Sequence, residues 1–201
     1  MYDATSFILK YTSNGMLTLI IGIFTAIFVT EDFSCGTIKN IYARGYSRNV
    51  VYLSKYIVST ISALIFLGTS LLTCVLISSA LFNGPAAYNT THLNSILLQM
   101  LLIIAYNSLF FVISIIIGKL GSSIAFIIVG PSMISLMLTL VDSFLNMNNI
   151  KLNDFWLENC LSSIQTANCS NSTVIGAFTV SIIVIVISLI VGIKLHNNKE
   201  L

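Results

Sequence analysis

Residues 31–48 read EDFSCGTIKNIYARGYSR, and with Lys55 just beyond they hold Glu31, Asp32, Lys39, Arg44, Arg48 and Lys55 in a chain of 201 residues with only 8% charged positions. The stretch sits between two long apolar runs, 16–30 before it and 56–82 after it. In a chain that is 56% hydrophobic, a charged block of this density is a placed feature rather than ordinary surface. The function is expected to reside there.

Working outward, the composition excludes an ordinary soluble domain, which carries about a quarter charged residues. Crossing a bilayer core of roughly 30 Å takes about 20 apolar residues as helix. Runs at 56–82, 96–117, 122–141 and 174–193 meet that length, and 16–30 is a shorter fifth. None alternates apolar and polar residues as the strands of a membrane barrel do. The predicted fold is therefore all-α, a single polytopic transmembrane domain over 1–201 with five spans. Asp3 stands where a signal peptide would be basic, so the N-terminus is read as part of the mature chain.

Lysine and arginine set the orientation. With the 31–55 loop inside, alternation also places Lys119 and the tail bearing Lys194 and Lys199 inside. Only Lys10 and Lys151 then lie outside, against Asp3, Asp142, Asp154 and Glu158. The expected topology is multi-pass in a bacterial plasma membrane, with the C-terminus cytoplasmic and the visible N-terminus outside.

Within the charged loop, Thr37 is a candidate N-cap for a short helix whose Ile38, Ile41 and Tyr42 form one apolar stripe at i, i+3 and i+4. Gly45 is the expected stop. Lys39, Asn40 and Arg44 occupy the other face, which suits a helix lying on the membrane or on a partner. Ser47 opens the following helix, flanked by Arg48 and Lys55. In the first span, Gly22 and Ala26 have the small-xxx-small spacing that lets a second helix approach closely. Gly130-Pro131 in the fourth run predicts a weakened or kinked helix. Residues 1–15 suit an interfacial segment or a frayed end.

The outer loop 142–173 is rich in large apolar residues, among them Phe144, Leu152, Phe155, Trp156, Leu157, Leu161 and Ile164. That mixture predicts short helices that dip into or lie on the outer interface, or a lid on an exit path. Cys160 and Cys169 share this loop, and a disulfide between them is one option, unpaired thiols the other. Neither His92 nor His196 is near them and no Cys-x-x-Cys occurs, so no metal site is expected.

No span carries an ionisable residue at its centre, which argues against a proton-coupled pump. The polar residues in spans are neutral. Asn107, Ser132, Ser135 and Thr139 are candidates for a substrate path, with inter-helix hydrogen bonding the competing role. Neither a phosphate-binding loop nor a nucleophile beside a base is present, so the chain is not expected to catalyse a covalent step alone. A channel is disfavoured, because no span has a filter-like motif.

Glu31, then Gly36-Thr37-Ile38-Lys39-Asn40, then Ser47-Arg48 and Lys55 resemble the first cytoplasmic loop of type-2 ATP-binding-cassette transporter permeases, and more narrowly those of bacteriocin or lantibiotic immunity. The resemblance implies a permease subunit of an ATP-driven exporter moving peptide, drug or lipid-like cargo, paired with a second permease half. It implies a coupling helix over 36–45 docked on a separate cytoplasmic ATPase, its ends braced by the Glu31 region and Arg48. No cofactor would bind this chain, ATP and Mg being held by the partner. Other partners would be membrane lipids, with no nucleic acid. The family pattern has six spans, so a helix before Met1 would be missing here. The alternative reading is a membrane immunity or interaction protein that transports nothing and acts through 142–173.

Overall fold

A computed structural model describes residues 4–12, 14–81, 90–145, 152–164 and 171–198. The elements are α1 (Ala4–Thr12), α2 (Gly15–Ser34), α3 (Thr37–Ala43), α4 (Arg48–Leu81), α5 (Thr90–Ile117), α6 (Leu120–Leu145), a 3-10 turn (Leu152–Phe155), α7 (Leu157–Ile164) and α8 (Asn171–Asn198). No strand occurs among the described residues, and five stretches are long and apolar enough to cross a membrane, the first taking in α1 with α2. The all-α membrane reading holds.

Contacts at successive levels show that the long helices alternate in direction. Asp32 of α2 pairs with Lys55 of α4, while Thr25, earlier in α2, meets Ser59, later in α4, so these two helices are antiparallel. Ile21 packs with Ile103 and Val29 with Phe111, so α2 and α5 run the same way. One end of the bundle therefore carries α3, the other α7. α5 is the hub, packed on α1, α2, α4, α6, α7 and α8. Its apolar residues are not confined to one face, because nearly every face is covered: Leu102, Ile103, Ala105, Phe110 and Phe111 are all buried.

Three of the spanning helices meet at one polar node. Asn107 of α5 accepts hydrogen bonds on Oδ1 from Thr25 Oγ1 of α2 at 2.9 Å and from Ser59 Oγ of α4 at 3.0 Å. Its Nδ2 donates to Thr60 Oγ1 at 3.4 Å. Thr25, Ser59 and Asn107 are at most 1% exposed. Most other buried hydroxyls bond back within their own helix, as Thr30 does to Ala26 and Ser114 to Phe110, which is how apolar spans carry so many neutral polar residues.

Close backbone approach completes the packing. A Cβ on Gly22 would fall 2.5 Å from Ile127 of α6 and 3.0 Å from Phe110 of α5, so the small-residue spacing in α2 does admit two neighbours. Gly192 of α8 makes room in the same way for the Tyr52 ring, which also stands edge-on to Phe111 at 5.4 Å. α6 remains one helix through Pro131. The element is not broken there, although Pro131 supplies no amide to its ladder.

At the α7 end, α1 packs on α4 and α5 instead of fraying, with Ile8, Leu9 and Thr12 buried. Gln99 Nε2 donates to the Leu9 carbonyl at 3.1 Å. The apolar residues of the long loop become structure. Leu157, Cys160, Leu161 and Ile164 form the buried face of α7, against α5 and α8. The Asp142 carboxylate at the end of α6 holds this cap by accepting from the amides of Leu152 and Asn153, each at 2.9 Å. Asn159 Nδ2 donates to the Asn153 carbonyl at 2.8 Å.

Two predictions follow from these polar contacts. Asn107→Leu leaves Ser59 only the long contact to Thr25 Oγ1 at 3.5 Å, while Thr25 keeps the Ile21 carbonyl at 2.8 Å. It should cost about 1–2 kcal/mol, read as a fall of a few degrees in the thermal transition in mild detergent, with Thr25→Val costing less. No difference between the two variants would remove Asn107 from its central position. Asp142→Ala frees the 3-10 turn and should speed maleimide labelling of Cys160 roughly tenfold at matched folding, since opening governs access to a buried thiol. An unchanged rate would show that the carboxylate does not hold the cap.

Candidate coupling site

The charged stretch folds as two helix ends with a short helix strung between them. α2 closes with the Cys35 amide donating to the Glu31 carbonyl at 2.9 Å, and Gly36 then turns the chain at φ +68°. The cap position of α3 is therefore Gly36, and Thr37 is already helical, a one-residue correction to the sequence expectation. A left-handed residue is needed to redirect the chain, which costs roughly 1–2 kcal/mol for a residue with a Cβ. At the other end the Gly45 amide donates to the Tyr42 carbonyl at 2.9 Å with Gly45 at φ +87°, so Gly45 is the stop its position foretold. The Ser47 carbonyl then accepts from the Val51 amide at 3.2 Å to open α4.

Two contacts make the hairpin rigid. Lys55 Nζ forms an ion pair with Asp32 Oδ2, the side chains 15% and 28% exposed. This closes the loop 23 residues apart at the point where α2 and α4 leave the bundle. The Arg48 guanidinium lies 5.6 Å from the centre of the Tyr42 ring, joining the end of α3 to the start of α4. Partial burial pushes the Tyr42 phenol up and the Arg48 charge pulls it back only in part, so it is a neutral donor. Within the Glu31 region the residue that pairs is Asp32, which joins α2 to α4, while Glu31 is exposed. Sequence shows both acids beside the loop but not which one points towards Lys55.

Ile41 and Tyr42 are half-buried, and Thr37, Asn40 and Arg44 are exposed. Ile38 and Lys39 contribute backbone to α3, their side chains lying outside the described residues. α3 rests on α2, with Tyr42 also against Arg48 of α4. The result is a two-turn helix strung between clamped helix ends and pinned at Tyr42, presenting a polar surface around a half-buried apolar stripe.

The four residues proposed for a substrate path do not converge. Asn107 turns towards α2 and α4. Ser132, Ser135 and Thr139 lie on α6, where Ser132 and Thr139 are exposed, Ser135 Oγ donates to Asn153 Oδ1 at 3.4 Å, and Thr139 Oγ1 donates to the Leu136 carbonyl at 2.7 Å. Cys160 is buried with its thiol directed at the Asp154 carbonyl at 3.3 Å, and its suggested partner Cys169 lies outside the described residues. Among the described residues no cluster of three or more His, Cys, Asp or Glu is placed to hold a metal.

The ion pair can be separated from simple charge. Asp32→Asn leaves Lys55 without its partner in a part-buried setting and should lower the thermal transition by roughly 3–6 °C, equivalent to about 1–2 kcal/mol. Glu31→Gln, one residue away, should change it by less than about 1 °C. Equal effects would show that only net charge matters here.

Neither the curated proteins nor the solved structures show a match to this chain. The family model for ABC-2 family transporter proteins matches residues 1–146, which span α1 to α6 and so include the charged hairpin. A match over that share of the chain, on a bundle of alternating membrane helices with a braced loop helix, identifies it. The chain belongs to the ABC-2 family of transporter proteins, as a membrane subunit of an ABC transporter.

Proposed function

We propose that this chain is the permease subunit of an ATP-driven exporter in a bacterial plasma membrane, and that α3 is where a separate cytoplasmic ATPase docks. The observation that carries the reading is that α3 is strung between two helices clamped to each other and is pinned to one of them. Asp32–Lys55 clamps α2 to α4, the two helices between which α3 is strung and which run directly to the Asn107 node, and Arg48–Tyr42 ties α3 itself to α4. A push on such an element moves α2 and α4 together instead of bending a loop, which suits conversion of ATPase closure into a rigid-body shift of helices. The α3 end is cytoplasmic in this reading, as the basic residues there favour. ATP and Mg belong to the partner.

The apolar character of α6 supports a second permease half. Phe126, Met133, Leu136, Met137 and Leu140 are exposed along it, together with Ser132 and Thr139, a face suited to lipid or to another membrane chain. Cargo of peptide, drug or lipid-like type would move along that junction, in a homodimer or beside a related half.

Ile41→Asp and Tyr42→Asp place a charge in the apolar stripe of α3. Each should abolish co-purification of an ATPase subunit in mild detergent and lower transport at least tenfold, while the amount of chain in the membrane stays constant. Recovery of the unmodified chain without any ATPase, under conditions that preserve a known exporter complex, would overturn the reading. It would favour a protein acting through its α7 end alone.

A further inference from the structure

The long helices keep an apolar outer surface up to the α3 end, and lysines stand at its edge. Ile116 is 55% exposed although most of α5 is covered, and the first residue of α6, Leu120, is exposed too, with the exposed Lys119 between them. On α8, Val191 and Leu195 are exposed in the same way on either side of the exposed Lys194. In a membrane fold such apolar side chains are covered by lipid chains. A lysine set among them lays its four-carbon stem along that surface and carries its ammonium out to the headgroups.

The two lysines belong to one seam of the bundle. Ile115 of α5 and Ile193 of α8 share a packed cluster with Phe111 and Leu189. The residues next along, Ile116 and Lys194, are both exposed, and Lys119 follows Ile115 by four positions (119 − 115). Val29 of α2 packs in that cluster as well. Eight residues separate Phe111 from Lys119 (119 − 111), and eight separate Val29 from Thr37, where α3 begins (37 − 29). The cations therefore stand at about the level from which α3 projects. Neither pairs with an acid among the described residues, and Asp32, an acid at this end, is held by Lys55.

We propose that this seam binds an anionic phospholipid, its phosphate on the ammonium groups of Lys119 and Lys194 and its chains on Ile116, Leu120, Val191 and Leu195. Two cations at the rim of an apolar strip match the two halves of such a lipid. Inorganic phosphate would use the cations alone, and a zwitterionic lipid would bring a positive group that opposes them. Lipid bound there holds the ends of α5 and α8 in the headgroup layer beside α3. The inference rests on the membrane fold and not on the ATPase reading, so the two fail separately.

The full chain in nanodiscs of equal phosphatidylcholine and phosphatidylglycerol, without any ATPase, is released for native mass spectrometry and its retained lipids are identified. Each cation near the headgroups favours an anionic lipid by roughly fivefold at low salt. The wild type should retain phosphatidylglycerol over phosphatidylcholine, and the double variant Lys119→Gln/Lys194→Gln should lower that preference at least tenfold. Lys119→Arg/Lys194→Arg should keep it, since charge is what the phosphate reads, and Lys10→Gln at the α7 end should leave it within about twofold. High salt should weaken it, as screening at the rim requires. Equal retention of the two lipids, or an unchanged preference in the double glutamine variant, would overturn the proposal. Displacement of the lipid by millimolar inorganic phosphate would assign the lysines to a free anion, and a dimer that carries no phosphatidylglycerol would assign the seam to a second copy of the chain; either result overturns it as well.

Discussion

Everything in this bundle is referred to the hydrogen bonds that Asn107 makes with Thr25 and Ser59. Lipid is as apolar as leucine, so burying leucine between helices in a membrane gains little, and association relies on close packing and on polar groups that must be satisfied. The Asn107 node meets both needs. It lies one helical turn from the point where Gly22 lets α2 close on Phe110 and Ile127, and Thr25 and Ser59 are themselves small. With α2 and α4 registered there, their extensions are registered too. From Thr25 to Asp32 is seven residues (32 − 25), about 10 Å, and from Ser59 to Lys55 is four (59 − 55), about 6 Å. The ion pair that closes the loop is thus set by a hydrogen-bonded node inside the membrane.

The two ends of the molecule solve different problems with similar means. At the α3 end, two left-handed glycines reverse the chain twice within ten residues, an ion pair clamps α2 to α4, and the Arg48 guanidinium on the Tyr42 ring holds the short helix to α4. At the α7 end, one carboxylate, Asp142, gathers two backbone amides and folds an apolar loop back onto α5 and α8. That fold leaves Glu158 exposed while Leu157, Cys160, Leu161 and Ile164 turn inward.

The span pattern, the helical class and the importance of the charged stretch were legible because they depend on local quantities. Apolar length, the positions of Gly36 and Gly45, and the stripe Ile41–Tyr42 are properties of neighbours in sequence. Gly22 could be singled out on spacing alone. Gly192, equally necessary, could not, because the residue it makes room for, Tyr52, lies 140 positions away (192 − 52) and reaches it only in the folded bundle. The cap at Gly36 in place of Thr37 shows the same limit on a smaller scale: both residues suit a cap, and the path of α2 decides between them.

By itself, the sequence determined that this is an all-helical membrane protein with one charged handle, because crossing a bilayer demands long uncharged helices and leaves charge conspicuous wherever it remains. Only the tertiary structure decided that Asp32 and not Glu31 closes the handle, that Asn107 joins α2 and α4, and that Gly192 makes room for Tyr52. Those outcomes depend on which faces of separate helices meet, and side-chain direction across a helix interface is set by packing that no single segment encodes.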